Sequence, residues 1–164
     1  MPPTRVALRS LGSSDLDAAV ALVREAAGGT RYEQGAVEAL TAAVLTPGVE
    51  ARATGAFRDG SLAGVLVHGE FAGAIGAGRL HVVTVAAPWR AGGIGHALVG
   101  HAARELRARG ARFVLAEVAD DAPALGAYRA FLARCGFREE SRVADLVADG
   151  VALTFLRQDL AAER

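Results

Sequence analysis

The sequence predicts a mixed α/β fold: one central sheet flanked by helices, in the order β-α-α-β-β-β-α-β-α-β-β. Three observations carry this reading. Segments in which apolar residues recur with helical period alternate with short β-branched runs. Asp-Gly pairs at 59–60 and 149–150 sit between such runs and mark two hairpins. Gly or Pro punctuates the helical segments. A chain of 164 residues holds one domain with a real core and is too short for two ordinary ones, so residues 1–164 are read as a single unit.

Residues 4–11 (Thr-Arg-Val-Ala-Leu-Arg-Ser-Leu) read as the first strand. Ser13 or Ser14 then caps a helix whose Leu16, Ala19, Val20 and Val23 form one apolar stripe. Gly28-Gly29 ends it. The second helix covers 33–45, with Val37, Leu40 and Val44 on one face and Pro47-Gly48 as its stop. Strands follow at 50–57 and 62–68. Residues 69–78 are glycine-rich and without period, which reads as a mobile loop. A strand at 79–86 leads into a helix that runs to Arg109, with Ile94, Leu98, Ala102 and Leu106 along one row and Gly110 at its end. Phe113 to Ala119 is a buried strand. Asp120 or Asp121 caps the last helix, with Pro123 in its first turn and Gly136 just past its end. Strands at 137–147 and 151–157 finish the chain. The βαβαβ stretch implies parallel neighbours in the middle of the sheet.

Composition narrows the function. Acidic and basic residues balance at 18 each, and no basic run is present, so nucleic acid is not an expected partner. Every basic residue of that set is arginine; the chain contains no lysine and cannot acetylate side-chain amines of its own. The single Cys135 excludes an internal disulfide and fits a reducing compartment. The N-terminus lacks the apolar core of a signal peptide, and no apolar window of about 18 residues exists to span a membrane. The expectation is a cytoplasmic protein without a membrane partner. No Cys/His cluster has zinc spacing, so no metal is expected.

The most informative stretch is Val83-Thr84-Val85-Ala86-Ala87-Pro88-Trp89-Arg90-Ala91-Gly92-Gly93-Ile94-Gly95. A β-branched run stops at a proline. A basic residue and glycines follow, and then a helix starts. Free amides at a helix N-terminus carry partial positive charge, and glycine lets an anion approach the backbone. The junction is therefore a candidate phosphate site; a glycine-rich turn without a ligand is the alternative. A Rossmann site is disfavoured because Leu98 stands where the third glycine belongs, and a P-loop site because its lysine is missing.

Arg90-Ala91-Gly92-Gly93-Ile94-Gly95 fits Arg/Gln-x-x-Gly-x-Gly/Ala directly after a strand. It resembles the acyl-CoA pyrophosphate loop of the GNAT acetyltransferase superfamily, and the element order resembles that fold over most of the chain. The resemblance implies acetyl-CoA as co-substrate. Its diphosphate would lie on the backbone of Arg90, Ala91, Gly92, Gly93, Ile94, Gly95 and His96. Its pantetheine arm would pair with the backbone of Val83 and Val85. It also implies an amine acceptor, shaped by the 28–32 connection, the 69–78 loop and the last hairpin around Asp149. Glu25, Glu33 and Glu70 are carboxylates that could draw in a cationic amine. A homodimer through the terminal strands is a family habit.

The catalytic side chains depart from the family. Where members often carry a basic glutamate, this chain has Arg79, which cannot accept a proton at neutral pH. His81, two residues on, is the replacement base, with water as the other option and core filling as the bland one. The family's acid, often a tyrosine four residues before a Gly-Phe pair, falls on Leu132. Tyr128, one turn earlier, either protonates the leaving thiolate or is core. The helix-start asparagine of the family falls near Leu125. His68, His96 and His101 are read as structural or solvated, and Cys135, with no histidine partner evident, as buried. Two functions follow: an acetyl-CoA-dependent N-acetyltransferase acting by direct attack in a ternary complex, or a non-catalytic acyl-CoA-binding module of the same fold.

Overall fold

The computed structural model describes residues 5–160; Thr4, where the first strand was expected to begin, lies outside them. Strand β1 (Ala7–Ser10) is followed by α1 (Leu16–Ala27), α2 (Glu33–Leu45), β2 (Arg52–Arg58), β3 (Ser61–Glu70) and β4 (Ala77–Val85). Then come α3 (Ile94–Ala108), β5 (Phe113–Ala119), α4 (Leu125–Arg134), β6 (Arg138–Ala148) and β7 (Val151–Asp159). Single 3-10 turns at Ser13–Asp15 and Ala87–Trp89 lead into α1 and the loop before α3. This is the expected order of elements.

The seven strands form one sheet in the order β1-β2-β3-β4-β5-β7-β6. Only β4 and β5 run parallel; all other neighbours are antiparallel. The βαβαβ reading is thus right for one pair. It misses β7, which returns antiparallel between β5 and β6. Hydrophobic periodicity cannot order strands, because it records which face is buried and not which neighbour pairs.

Helices cover both faces. α3 and α4 close one apolar cluster with Leu66, Leu80, Leu98, Leu106, Val114 and Leu132. α1 and α2 close another with Leu22, Val23, Leu40, Val44, Val65 and Val67. Val65, Leu66 and Val67 of β3 alternate between the two clusters, which is why this central strand reads as an unbroken apolar run. The Asp59-Gly60 turn has both residues at positive φ, 52° and 79°, the backbone of a tight hairpin turn that follows the twist of its strands.

Local signals were misread at three places. The loop expected over 69–78 is shorter, because Gly69, Glu70, Ala77 and Gly78 are in strands. Their glycines are demanded by packing: a Cβ on Gly69 would lie 2.1 Å from the Glu50 carbonyl oxygen, and one on Gly78 2.6 Å from Leu106 Cδ1. Neither Ser13 nor Ser14 caps α1. Instead the Asp15 carboxylate accepts the Gly12 amide at 2.8 Å and pairs with Arg9, which lowers its pKa to about 2 through the Arg9 bond first and the Gly12 bond second. Asp120 and Asp121 do not cap α4 either; α4 starts behind Ala124, whose φ is +50°, and both aspartates bond elsewhere.

His68 of β3 is a buried polar residue at the interface with α3. Its Nε2–H donates to Glu105 Oε2 at 2.6 Å, while its Nδ1 is buried without a partner. His101 stands edge-on to it, 6.0 Å away, and Arg52 lies 3.9 Å from the same Glu105. Burial pushes the His68 pKa below its ordinary 6.5, against the opposing pull of Glu105. The unfolded chain therefore takes this proton first as pH falls. The contribution to stability is full above about pH 6.5 and fades below it. His68→Gln keeps a donor toward Glu105 and cannot ionise. In urea titrations across pH 7 to 5, it should lose less stability than the parent protein does.

Candidate functional site

The site begins where two strands part. β4 and β5 pair only from Ala77–Leu80 to Phe113–Ala116. Beyond that point β4 stays with β3, and β5 stays with β7. The register between β3 and β4 slips at the same place: His68 faces Leu80 and Val67 faces Val82, so His81 is an extra, unpaired residue. Such a bulge bends its strand and re-aims the side chain. Arg79 and His81 flank the buried Leu80 and both face Glu117, and the slip interrupts the alternation only beyond His81.

The parted edge of β4 exposes backbone. The Ala86 amide donates to Ala63 on the β3 side. Strand alternation then turns the backbone groups of Val85 and Val83 away from β3, into the cleft. They form an open edge on which an extended chain can pair. Val85 already uses its carbonyl, which accepts Arg90 Nε at 3.0 Å.

At the end of β4 the chain turns through Ala87–Trp89 and the glycine loop. Ala91 has φ +62° and Gly93 φ +84°. An alanine in the left-handed region is uncommon and carries strain. A loop that alternates such residues with ordinary ones points successive N–H groups inward as an anion-binding nest. The amides of Ile94, Gly95 and His96 are the first of α3 and lack helical partners. Space over Gly93 is open, whereas a Cβ on Gly95 would meet Phe131 of α4 at 2.9 Å and Val85 at 3.6 Å. Gly93 thus serves the backbone turn, and Gly95 lets α3, α4 and β4 come together.

The floor of the cleft carries charge. The neutral His81 ring donates from Nε2 to the Glu50 carbonyl at 3.1 Å, since a carbonyl can only accept. This leaves Nδ1 as its basic atom. Burial first, and the Arg79 guanidinium second, push the His81 pKa below its usual value. Arg79 bonds Glu117 of β5 at 3.1 Å. Glu117 follows Ala116, the register partner of Leu80, so it stands across the opening gap from His81. Sequence reasoning missed Glu117. The signal was there: one carboxylate inside the apolar run Phe-Val-Leu-Ala-Glu-Val-Ala.

The remaining expected residues disperse. Tyr128 is packed against the α3–α4 core, stacked on Phe131 at 6.3 Å, and burial lifts its pKa to about 12. Cys135 does have a histidine neighbour, contrary to expectation: His96 Nδ1 lies 3.6 Å from its Sγ. The thiol is nevertheless buried and its pKa is raised by that burial, the profile of a packing residue rather than a nucleophile. Glu33 pairs with Arg24 and Glu70 with Arg109. The turn at 71–76 packs on residues 110–112, with Arg112 bonding the carbonyls of Ile75 and Gly76. That is the far end of β4 from the Arg90 loop, and a cavity of about 300 Å³ lined by Glu70, Ile75 and Arg109 lies there as well. The 28–32 connection, in contrast, spans the cleft: Tyr32 donates to Asp121, and Arg31 pairs with the same carboxylate at 3.1 Å. Burial and that bond raise Tyr32 to about 12. Asp120, next in line, is held by Arg142 of β6 at 2.6 Å.

Among the described residues, no group of three or more His, Cys, Asp or Glu is placed to hold a metal ion, and no helix is long and apolar enough to cross a membrane.

Two substitutions test this geometry. Gly93→Ala places a Cβ on left-handed backbone and should cost about 1–2 kcal/mol in chemical denaturation. Tyr32→Phe removes the clasp on Asp121, and hydrogen exchange should accelerate at the amides of residues 28–33 while α3 keeps its protection.

Comparison with known proteins agrees with the fold. A GNAT-family protein from Desulfovibrio desulfuricans superposes with a TM-score of 0.83 at 23% identity, covering 96% of this chain and 100% of that one. The ribosomal-protein-S18-alanine N-acetyltransferase of Escherichia coli superposes with a TM-score of 0.74 at 18% identity, over 98% and 97% of the two chains. An aminoglycoside 6'-N-acetyltransferase, solved in complex with coenzyme A, gives 0.75 at 15% identity over 96% and 99%. No curated protein sequence matches significantly. The model of the Acetyltransferase (GNAT) family matches residues 17–137, a stretch that holds the parted strands, the glycine loop and both helices beside it, and the chain belongs to that family.

Proposed function

We propose that this protein transfers an acetyl group from acetyl-CoA to a primary amine of a small molecule or peptide, by direct attack with both substrates bound. The observation that carries the proposal is the pairing of an anion-binding nest at residues 90–96 with an open backbone edge at Val83 and Val85. The first suits a diphosphate, and the second suits an extended amide-bearing arm. Acetyl-CoA offers both, separated along one molecule, and supplies the activated acetyl group as a thioester. Two structural neighbours are named as N-acetyltransferases, one of an alanine of ribosomal protein S18 and one of an aminoglycoside at its 6' position, which supports an amine acceptor here.

The residues divide the work. Backbone N–H groups of Val83 and Val85 face the acetyl carbonyl and stabilise the charge that develops on its oxygen. His81 Nδ1 takes the proton from the attacking amine, directly or through water. The depressed pKa keeps this nitrogen free at neutral pH. Glu117, across the gap, favours a cationic amine as it arrives and shares Arg79. Tyr128, protonated at any physiological pH, or a water returns a proton to the departing thiolate. Positioning supplies most of the rate and acid–base help adds a factor of about 10²–10⁴, so a scaffold without the family's usual glutamate and tyrosine can still turn over. The compartment proposed is the cytoplasm, where the lone Cys135 stays reduced. A second copy joined through the terminal strands is compatible with all of these roles.

Acetyl-CoA at about 100 times its dissociation constant should add about 2.7 kcal/mol, a rise in Tm of about 5–10 °C. No rise would remove the proposal. In a screen of primary amines, His81→Ala should lower kcat/KM by about 10²-fold at pH 7 with acetyl-CoA affinity intact, and the parent rate should fall as pH drops below the His81 pKa. Binding without turnover on any amine would instead select the non-catalytic acyl-CoA-binding module, the reading favoured by Arg79 and Leu132 at the usual catalytic positions.

A further inference from the structure

The glycine loop already holds an anion from its own chain. Arg90 does not extend toward the nest; it folds back along β4, with Nε on the Val85 carbonyl at 3.0 Å and Nη2 3.8 Å from Glu25 Oε1. The same Glu25 oxygen accepts the Ala87 amide at 3.4 Å. One carboxylate of the last turn of α1 thus bridges the turn that opens the loop and the loop's only charged side chain. Both side chains are about half exposed, 55% for Arg90 and 46% for Glu25, so a ligand can reach them.

We propose that Glu25 is an internal competitor for the acetyl-CoA diphosphate: it occupies Arg90, and the cofactor binds by displacing it. The inference rests on the acetyl-CoA reading of the loop and goes beyond it. A diphosphate on the 91–96 amides carries more charge than one carboxylate and is held by several N–H donors, so it wins Arg90. Arg90 must then leave Val85 as well, which frees that carbonyl for the incoming pantetheine arm. Glu25 is left facing an anion with its counter-charge gone. That repulsion is set against every binding event, and Glu25 determines affinity without contributing a bond to the cofactor. Its place three residues before Gly28, the C-cap of α1, means that the displacement is felt at the foot of the 28–32 connection, whose tip clasps Asp121 across the cleft.

Glu25→Gln is the decisive variant, because it keeps an oxygen for the Ala87 amide and removes only the charge. Isothermal titration with acetyl-CoA at low salt should give a Kd about two- to fivefold lower than that of the parent protein. The gain should shrink as salt is raised. Glu38→Gln on α2 removes the same charge from the molecule away from the loop and should leave Kd unchanged. In an Arg90→Ala background, the Glu25→Gln gain should vanish, since the two residues act as a pair. A Kd for Glu25→Gln equal to or weaker than the parent's overturns the inference. A gain that persists in full without Arg90 also overturns it, because the effect is then a diffuse field and not a contest for one cation. Failure of the parent protein to bind acetyl-CoA removes the functional reading and this inference together; failure of Glu25→Gln alone removes only the inference.

Discussion

Everything in the candidate site depends on β4 and β5 ceasing to pair after four residues each. Two parallel strands in the middle of a sheet would ordinarily satisfy each other's backbone along their whole length. Here the bulge at His81 turns β4 aside, and β5 is carried the other way by its long antiparallel pairing with β7. The result is an edge inside a sheet. Its amides and carbonyls are strong hydrogen-bonding groups turned into the cleft, with the Val85 carbonyl held by Arg90, and they are rigid because both strands remain bonded on their outer sides. A sheet edge that is open to one extended molecule and shielded from a second protein strand by α3 and α4 on one face and α1 and α2 on the other is selective by construction.

Charge is arranged around this opening in a way that differs from the family pattern. The carboxylate expected on β4 is an arginine, and a carboxylate stands on β5 instead, bonded to it. The acidic group of the cleft therefore stands on the wall opposite the one expected, fixed there by Arg79. The imidazole of His81 is left beside a cation, in a partly buried pocket, where both influences keep it neutral. A neutral base with its other nitrogen fixed by a backbone carbonyl is oriented as well as unprotonated, and orientation is the part that is hard to obtain from water.

How legible was this? The helix ends at Gly or Pro stops were read nearly to the residue, and α2 and the strand β5 without error at either end, because apolar periods and such stops are local properties, whereas the starts of α1 and α4 were misplaced. The glycine loop was legible for the same reason. What failed was non-local. Gly69 and Gly78 looked like loop residues because glycine is permissive of turns, yet they are in strands because Glu50 and Leu106 leave no room for a side chain. Asp120 and Asp121 looked like caps because aspartate before a helix is one; in the folded chain they are taken by Arg142 and by Arg31 with Tyr32, residues distant in sequence. The insertion of β7 beside β5, the bulge at His81 and the contact of Cys135 with His96 leave no trace in composition or period. Glu117 was readable in principle, as a lone carboxylate in a buried strand.

The chain contains a single tryptophan, and its location gives the molecule a built-in optical reporter. Trp89 closes the 3-10 turn immediately before Arg90, partly buried against the α3–α4 core, with the Arg58 guanidinium over its ring at 4.6 Å. Indole emission responds to nearby charge and to hydration, and here every photon from tryptophan originates at the rim of the nest. Rearrangement of Arg90, or a polyanion settling on the adjoining amides, changes the field at that ring. Tryptophan emission, excited at the red edge where Tyr32 and Tyr128 scarcely absorb, therefore follows the loop itself without a label.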